Sequence, residues 1–145
     1  MDKEKFKEYL SNRYEDQIKW YDEKSTSNQS KYRFFQWGVI ILSSLTPVLI
    51  LFSGENKLIP IVVAIFVAIF TAVLKTFKYQ ENWVEYRTTC ETLRKEKHFY
   101  DANLYEYDSA ENKESLFVER VENLISRENT RWIEISTLKE KEVTT

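Results

Sequence analysis

Glycine and proline are scarce in this chain, two of each among 145 residues. Glycine weakens a helix through its backbone freedom, and proline breaks one by lacking an amide donor. Pro47, Gly54 and Pro60 fall inside or beside one apolar block, and Gly38 lies at its edge. The polar remainder therefore has no helix breakers and is expected to form long helices. The one cysteine, Cys90, excludes an internal disulfide, which suits a reducing cytoplasm. The one histidine, His98, sits on a charged helix and reads as a surface or seam residue. No nucleophile is paired with a base, no metal-ligand spacing occurs and no phosphate loop is present, so neither an enzyme nor a cofactor is expected. A net charge of −2 gives no electrostatic footprint for nucleic acid.

Charge is also missing from the middle of the chain. From residue 34 to residue 74 the only charges are Glu55 and Lys57, although the whole chain carries 21 Lys and Arg and 23 Asp and Glu. This segregation asks for two solvents, lipid for the middle and water for the ends. Residues 34–53 form a first uncharged run that spans about 30 Å as a helix, the thickness of a hydrocarbon core. Residues 58–74 form a second, extended to residue 77 if Lys75 and Lys78 snorkel. Burial of such a hairpin inside a soluble fold is disfavoured, because the charged arms offer too little apolar surface to cover two helices apolar all round. A cleavable signal peptide is disfavoured too, since the first run begins at residue 34.

The expected fold is therefore an all-α membrane protein, a two-span helical hairpin with long cytoplasmic amphipathic helices in a bundle. As one domain over 1–145, it divides into an N-terminal cytoplasmic helix (1–33), a first span (34–53), an external turn (54–57), a second span (58–77), a cytoplasmic continuation (78–100) and a C-terminal helix (110–139). Lys19, Lys24, Lys31 and Arg33 precede the spans and Lys75, Lys78, Arg87 and Arg94 follow them, against Lys57 alone in the turn. That bias places both termini in the cytoplasm, and Tyr32, Phe34, Phe35, Trp37, Phe77, Tyr79 and Trp83 make an aromatic belt at the same leaflet.

Two stripes stand out in the spans. Gln36, Ser43 and Pro47 share a narrow arc at 100° per residue, bordered by Thr46 and Ser53. Two readings fit that arc: hydroxyls bonded back to their own helix carbonyls, or the wetted face of a pore. In the second span Ala64, Ala68 and Ala72 repeat every four residues and read as a packing seam, within the hairpin or between protomers. No acidic ring or intramembrane ion pair argues for a coupled transporter.

The arms carry their own patterns. Phe6, Leu10, Tyr14, Ile18 and Tyr21 mark an amphipathic N-terminal helix, with a soft joint expected over the polar stretch 25–30. After the second span Tyr79, Trp83, Tyr86, Cys90 and Leu93 step by four and three, a coiled-coil-like assembly seam expected to run unbroken from the membrane helix, with Cys90 a buried structural thiol. A break is expected at 101–109, then a capping box of Asp108 and Glu111 opening the last helix. The apolar face of that helix is Phe117, Val121, Leu124, Trp132, Ile135 and Leu138, with Val118 and Ile125 widening it.

Several clusters are jointly distinctive: Arg13 to Tyr21, Gln80 to Trp83 with Tyr86 and Arg87, Leu93 with Glu96 and Lys97, Phe117 to Glu122, and Glu128, Asn129, Arg131 and Trp132. Together they resemble the bacterial family called domain of unknown function 4231, which looks like a branch of the SLATT two-helix membrane effectors. The resemblance implies a homo-oligomer in the bacterial inner membrane, of a kind proposed to form pores beside nucleotide-sensing partners. No sensor domain lies within this sequence, so regulation would fall to another cytoplasmic protein or to the arms.

These readings converge on a homo-oligomeric pore or ion channel, because two helices per chain cannot enclose a water path. Its expected lining is Gln36, Ser43, Thr46 and Pro47, with Glu81 and Glu85 at a cytoplasmic mouth that would weakly favour cations. The alternative is a membrane-anchored interaction module whose arms dock a partner. The expected associates are lipid, ions, a second copy and a cytoplasmic regulatory protein.

Overall fold

Helices follow directly from the shortage of breakers. In the computed structural model, which describes residues 2–127, every regular element among the described residues is helical. Helix α1 (Lys3–Tyr9) passes through a π-helical stretch, Leu10–Tyr14, into α2 (Glu15–Phe52). Then come α3 (Leu58–Phe77), α4 (Tyr79–Asp101), the single turn α5 (Glu106–Ser109) and α6 (113–127). The chain divides into two compact units, one formed by Met1–Asp22 with Tyr86–Thr145 and the other by Glu23–Glu85.

The first unit is a small helical bundle. Its core joins Phe6, Tyr14 and Tyr21 of the N-terminal arm to Cys90 and Leu93 of α4, Tyr107 of α5, and Phe117, Val121 and Ile125 of α6. Phe117 is the hub. Its ring lies 5.8 Å from that of Phe6, 5.3 Å from Tyr14 and 5.1 Å from Tyr100. The Tyr14 hydroxyl donates to the Leu93 carbonyl at 2.9 Å, so its burial leaves no polar group unsatisfied. The apolar residues of the arm step by four three times, and in an α-helix each such step rotates the face by about 40°. The wider turns of the π-helical stretch offset that drift and return Phe6, Tyr14 and Tyr21 to one side.

Polar clamps surround this core. Arg13 grips the Glu122 carboxylate through Nε and Nη2, each at 3.2 Å, and the Tyr9 hydroxyl donates to the same group at 2.9 Å. The Arg13 hydrogen bond, aided by Tyr9, holds the Glu122 carboxyl below the usual carboxylate range. Arg120 bridges Glu96, at 3.2 Å, and Glu106, while Tyr107 donates to Glu96. Burial, reinforced by Glu96, pushes the Tyr107 hydroxyl up.

The break after α4 is present. Asn103 and Tyr105 adopt positive φ there, and the Tyr105 ring packs on Phe99 at 4.9 Å. The expected capping box does not form. Asn112 caps α6 instead, its Oδ1 accepting the Ser115 amide at 3.0 Å, so the helix begins at residue 113 rather than 110. Trp132, Ile135, Leu138 and the expected end at 139 lie outside the described residues.

The second unit is the hairpin. The expected joint at 25–30 is absent and α2 runs through it. Ser25, 5% exposed, donates to the Trp83 carbonyl of α4 at 3.2 Å, while the Asn28 amide donates to the Lys24 carbonyl at 2.8 Å and supports α2 locally. Gly54 turns the chain at φ +53°, and Asn56 Oδ1 accepts the Leu58 amide at 3.1 Å to start α3. Gly38 allows close packing, since a Cβ there would stand 2.6 Å from the Phe70 ring. Lys3–Phe52 and Leu58–Asp101 are both long and apolar enough to cross a membrane, and 0% and 6% of their most apolar stretches are buried.

Two outcomes test this packing. Gly38→Ala should lower the thermal midpoint of the full chain in detergent, at a cost of about 1–3 kcal/mol, and Phe70→Leu in the same background should restore much of it. Glu122→Gln should be less stable than the parent near pH 7, by about 1 kcal/mol or less for so exposed a pair. The lost contribution exists above the unfolded carboxylate range and vanishes as pH falls through the lower folded value. The two proteins should therefore converge in acid, as read by melts at several pH values.

Candidate functional site

The second span does not continue smoothly into α4. Helix α3 ends at Phe77, and Lys78 takes the left-handed conformation at φ 48°, ψ 39°. That conformation is unfavourable for a residue with a Cβ, by about 1–2 kcal/mol. Local bonds offset it. The Lys78 amide donates to the Leu74 carbonyl at 3.2 Å, and Asn82 Nδ2 donates to the Phe77 carbonyl at 3.1 Å. The helix expected to run unbroken from the second apolar run into the continuation is thus two helices. Asn82, a polar residue one turn beyond the break, was the sequence signal for it.

The break opens a cleft of about 480 Å³ whose walls include Tyr32, Gln36, Thr71, Lys75, Lys78 and Glu81. Lys78 Nζ pairs with Glu81 at 3.1 Å, whereas Lys75 is exposed with no ion-pair partner among the described residues. Beside the cleft the Tyr79 ring stacks on Phe77 at 5.5 Å and on Phe35 at 6.1 Å, with Lys31 Nζ 5.9 Å from its centre. Trp83 is half-buried, and its indole N–H is enclosed without an acceptor among the described residues.

The four residues expected to line a pore separate. Ser43 and Pro47 are exposed on the outside of the hairpin, while Gln36 is half-buried in the cleft wall. Thr46 instead lies with the half-buried positions Leu42 and Leu49 that face α3, and its hydroxyl donates back to the Leu42 carbonyl at 2.8 Å. Ser44 and Thr71 bond back in the same way, to Ile40 at 2.7 Å and Val67 at 2.8 Å. Helix α2 continues through Pro47.

Ala64, Ala68 and Ala72 are all exposed, whereas Pro60 is buried and Val63, Val67, Phe70 and Leu74 are partly covered. The small-residue seam is therefore not the hairpin's own contact and remains open along α3.

At the expected mouth, the Glu81 charge is offset by Lys78 and Glu85 is half-buried. The expected assembly seam divides. Tyr79 and Trp83 belong to the hairpin unit, whereas Tyr86, Cys90 and Leu93 pack in the bundle, the last two fully buried. Burial raises the Cys90 thiol pKa, and its Sγ lies 3.7 Å from the Ile18 carbonyl. Cys90 and Leu93 are thus consumed by packing within one chain and have no surface left for a second. The bundle also carries an open cleft bordered by Arg13, Asp16, Gln17, Trp20, Tyr21 and Ile125, at which Trp20 stays 43% exposed.

The family described as "Protein of unknown function (DUF4231)" matches residues 16–115, which include both apolar runs and the helix break at Lys78. No curated protein and no solved structure matches the chain. Because the match spans more than half of the sequence, the chain belongs to this family of unknown function.

Proposed function

We propose that the protein is a homo-oligomeric membrane pore or ion channel of the SLATT-like kind, inserted as a two-span hairpin with both termini in the cytoplasm of a bacterial cell. The observation that carries this reading is the pair of faces left uncovered outside the hairpin contact. One is the alanine seam of α3, and the other is the Ser43 and Pro47 face of α2. Small residues let neighbouring helices approach closely in lipid, where dispersion and backbone proximity replace the hydrophobic effect. Assembly through the alanines would leave the Ser43 face free to line a path between protomers. Pro47 removes the amide that would have bonded the Ser43 carbonyl, so that carbonyl offers an acceptor at mid-span. No side-chain charge lines this face, so selectivity would rest on backbone oxygens and on charges at the cytoplasmic end. No catalytic role is proposed.

A second reading is a membrane-anchored interaction module. It is favoured by Trp20, which stands partly exposed over a cleft in the bundle, as aromatic anchors at binding surfaces do.

Liposomes reconstituted with the size-defined oligomer separate the two. Protein-dependent ion flux is expected. Ser43→Phe should cut it at least about ten-fold, a barrier of about 1.4 kcal/mol, while the oligomer keeps its size. Ala68→Phe should reduce the oligomer to smaller species. Undiminished flux in assembled Ser43→Phe rejects this face as the lining. Absence of flux in the parent, together with a partner lost on Trp20→Ala, favours the anchored module.

A further inference from the structure

The cleft at the α3–α4 break has the composition of an anion site at the edge of a bilayer. Lys75 and Lys78 supply two cationic heads against one carboxylate, Glu81, and the salt bridge of 3.1 Å engages only Lys78. Lys75 is left exposed on the last turn of α3. Helix α4 begins at Tyr79 just where α3 ends, so the positive end of one helix dipole meets the negative end of the other and the cationic character of the cleft rests on Lys75 and Lys78. Gln36 and Tyr32 add side-chain donors from α2, and Thr71 and Leu74 extend the wall toward the apolar run. A ligand here would meet cations and side-chain donors at one end and, at the other, the uncovered apolar sides of α2 and α3. That gradient matches an amphiphile better than a small free anion.

The geometry points to a binding site for the phosphate group of an anionic membrane lipid, with its headgroup between Lys75 and the start of α4 and its acyl chains along the hairpin. Basic pockets between spans on the cytoplasmic side take such headgroups in general. The left-handed Lys78 stands in the wall of this cleft. The inference rests on insertion of the hairpin in a membrane and does not need a pore.

The test is a lipid titration of the full chain in detergent, read by native mass spectrometry, with phosphatidylglycerol and phosphatidylcholine as probes. Phosphatidylglycerol should bind more tightly than phosphatidylcholine. Lys75→Ala should weaken it about five-fold, the worth of one lysine near an anionic surface. Gln36→Leu, which alters no charge, should weaken it as well. Lys57→Ala in the opposite turn and Lys31→Ala on α2 should leave it unchanged. Equal binding of the two lipids overturns the proposal. Equal losses from Lys75→Ala and Lys31→Ala also overturn it, since they indicate diffuse attraction. Displacement of phosphatidylglycerol by millimolar inorganic phosphate assigns the site to a soluble anion and overturns the lipid reading. Unaltered helicity and oligomer size in each variant exclude misfolding as the cause, and flux through the same oligomer is scored separately, so the two proposals can fail independently.

Discussion

Two helices packed side by side can cover only one stripe of each other, and here both are apolar around their whole circumference. That mismatch between apolar surface and available cover governs the chain. The hairpin spends Gly38, Phe70, Val67 and Thr46 on its internal contact and leaves most of the remaining apolar surface open. Fully burying one large aliphatic side chain is worth about 1.5–3 kcal/mol, and many such side chains stand exposed between residues 34 and 77. Water is the wrong neighbour for them. The single chain does not cover them itself.

The bundle follows the opposite logic. Its helices are strongly charged outside, and a small aromatic core centred on Phe117 holds them together. Ion pairs at its surface add geometry more than energy, because Arg13 and Glu122 remain substantially exposed. Their arrangement is nonetheless selective. Each clamp joins segments far apart in sequence, Arg13 to Glu122 and Arg120 to Glu96, and so fixes which helices pair. An apolar core of interchangeable aromatics would specify that pairing less sharply.

Much of this was legible in the sequence. The charge-free block announced two long apolar helices, and the steps at Phe6, Tyr14, Tyr21, Phe117, Val121 and Ile125 named most of the bundle core. What escaped has physical causes. A π-helical stretch leaves only a drift in spacing. The break at Lys78 falls on a residue with no intrinsic liking for left-handed backbone, so composition gives no warning and only Asn82 hints at it. The faces of the first span were misjudged at Thr46 because a narrow polar arc and the hairpin contact adjoin, and a sequence does not say where one ends. The alanines of α3 read as a packing seam, within the hairpin or between protomers, and which of these was open depended on which side of α3 meets α2; they lie exposed. Similarly, Cys90 and Leu93 looked available for assembly until α6 and the N-terminal arm took them.

The left-handed residue between α3 and α4 has a geometric consequence beyond the local turn. In a continuous helix, inserting or deleting one residue rotates everything beyond it by about 100°. The left-handed Lys78 ends one winding, and α4 begins another. The alanine face before Lys78 and the aromatic positions after it are wound on separate helices, so the 100° relation that ties residues of one helix does not tie the two sets together. The spacing of one set of residues therefore does not determine where the other set faces.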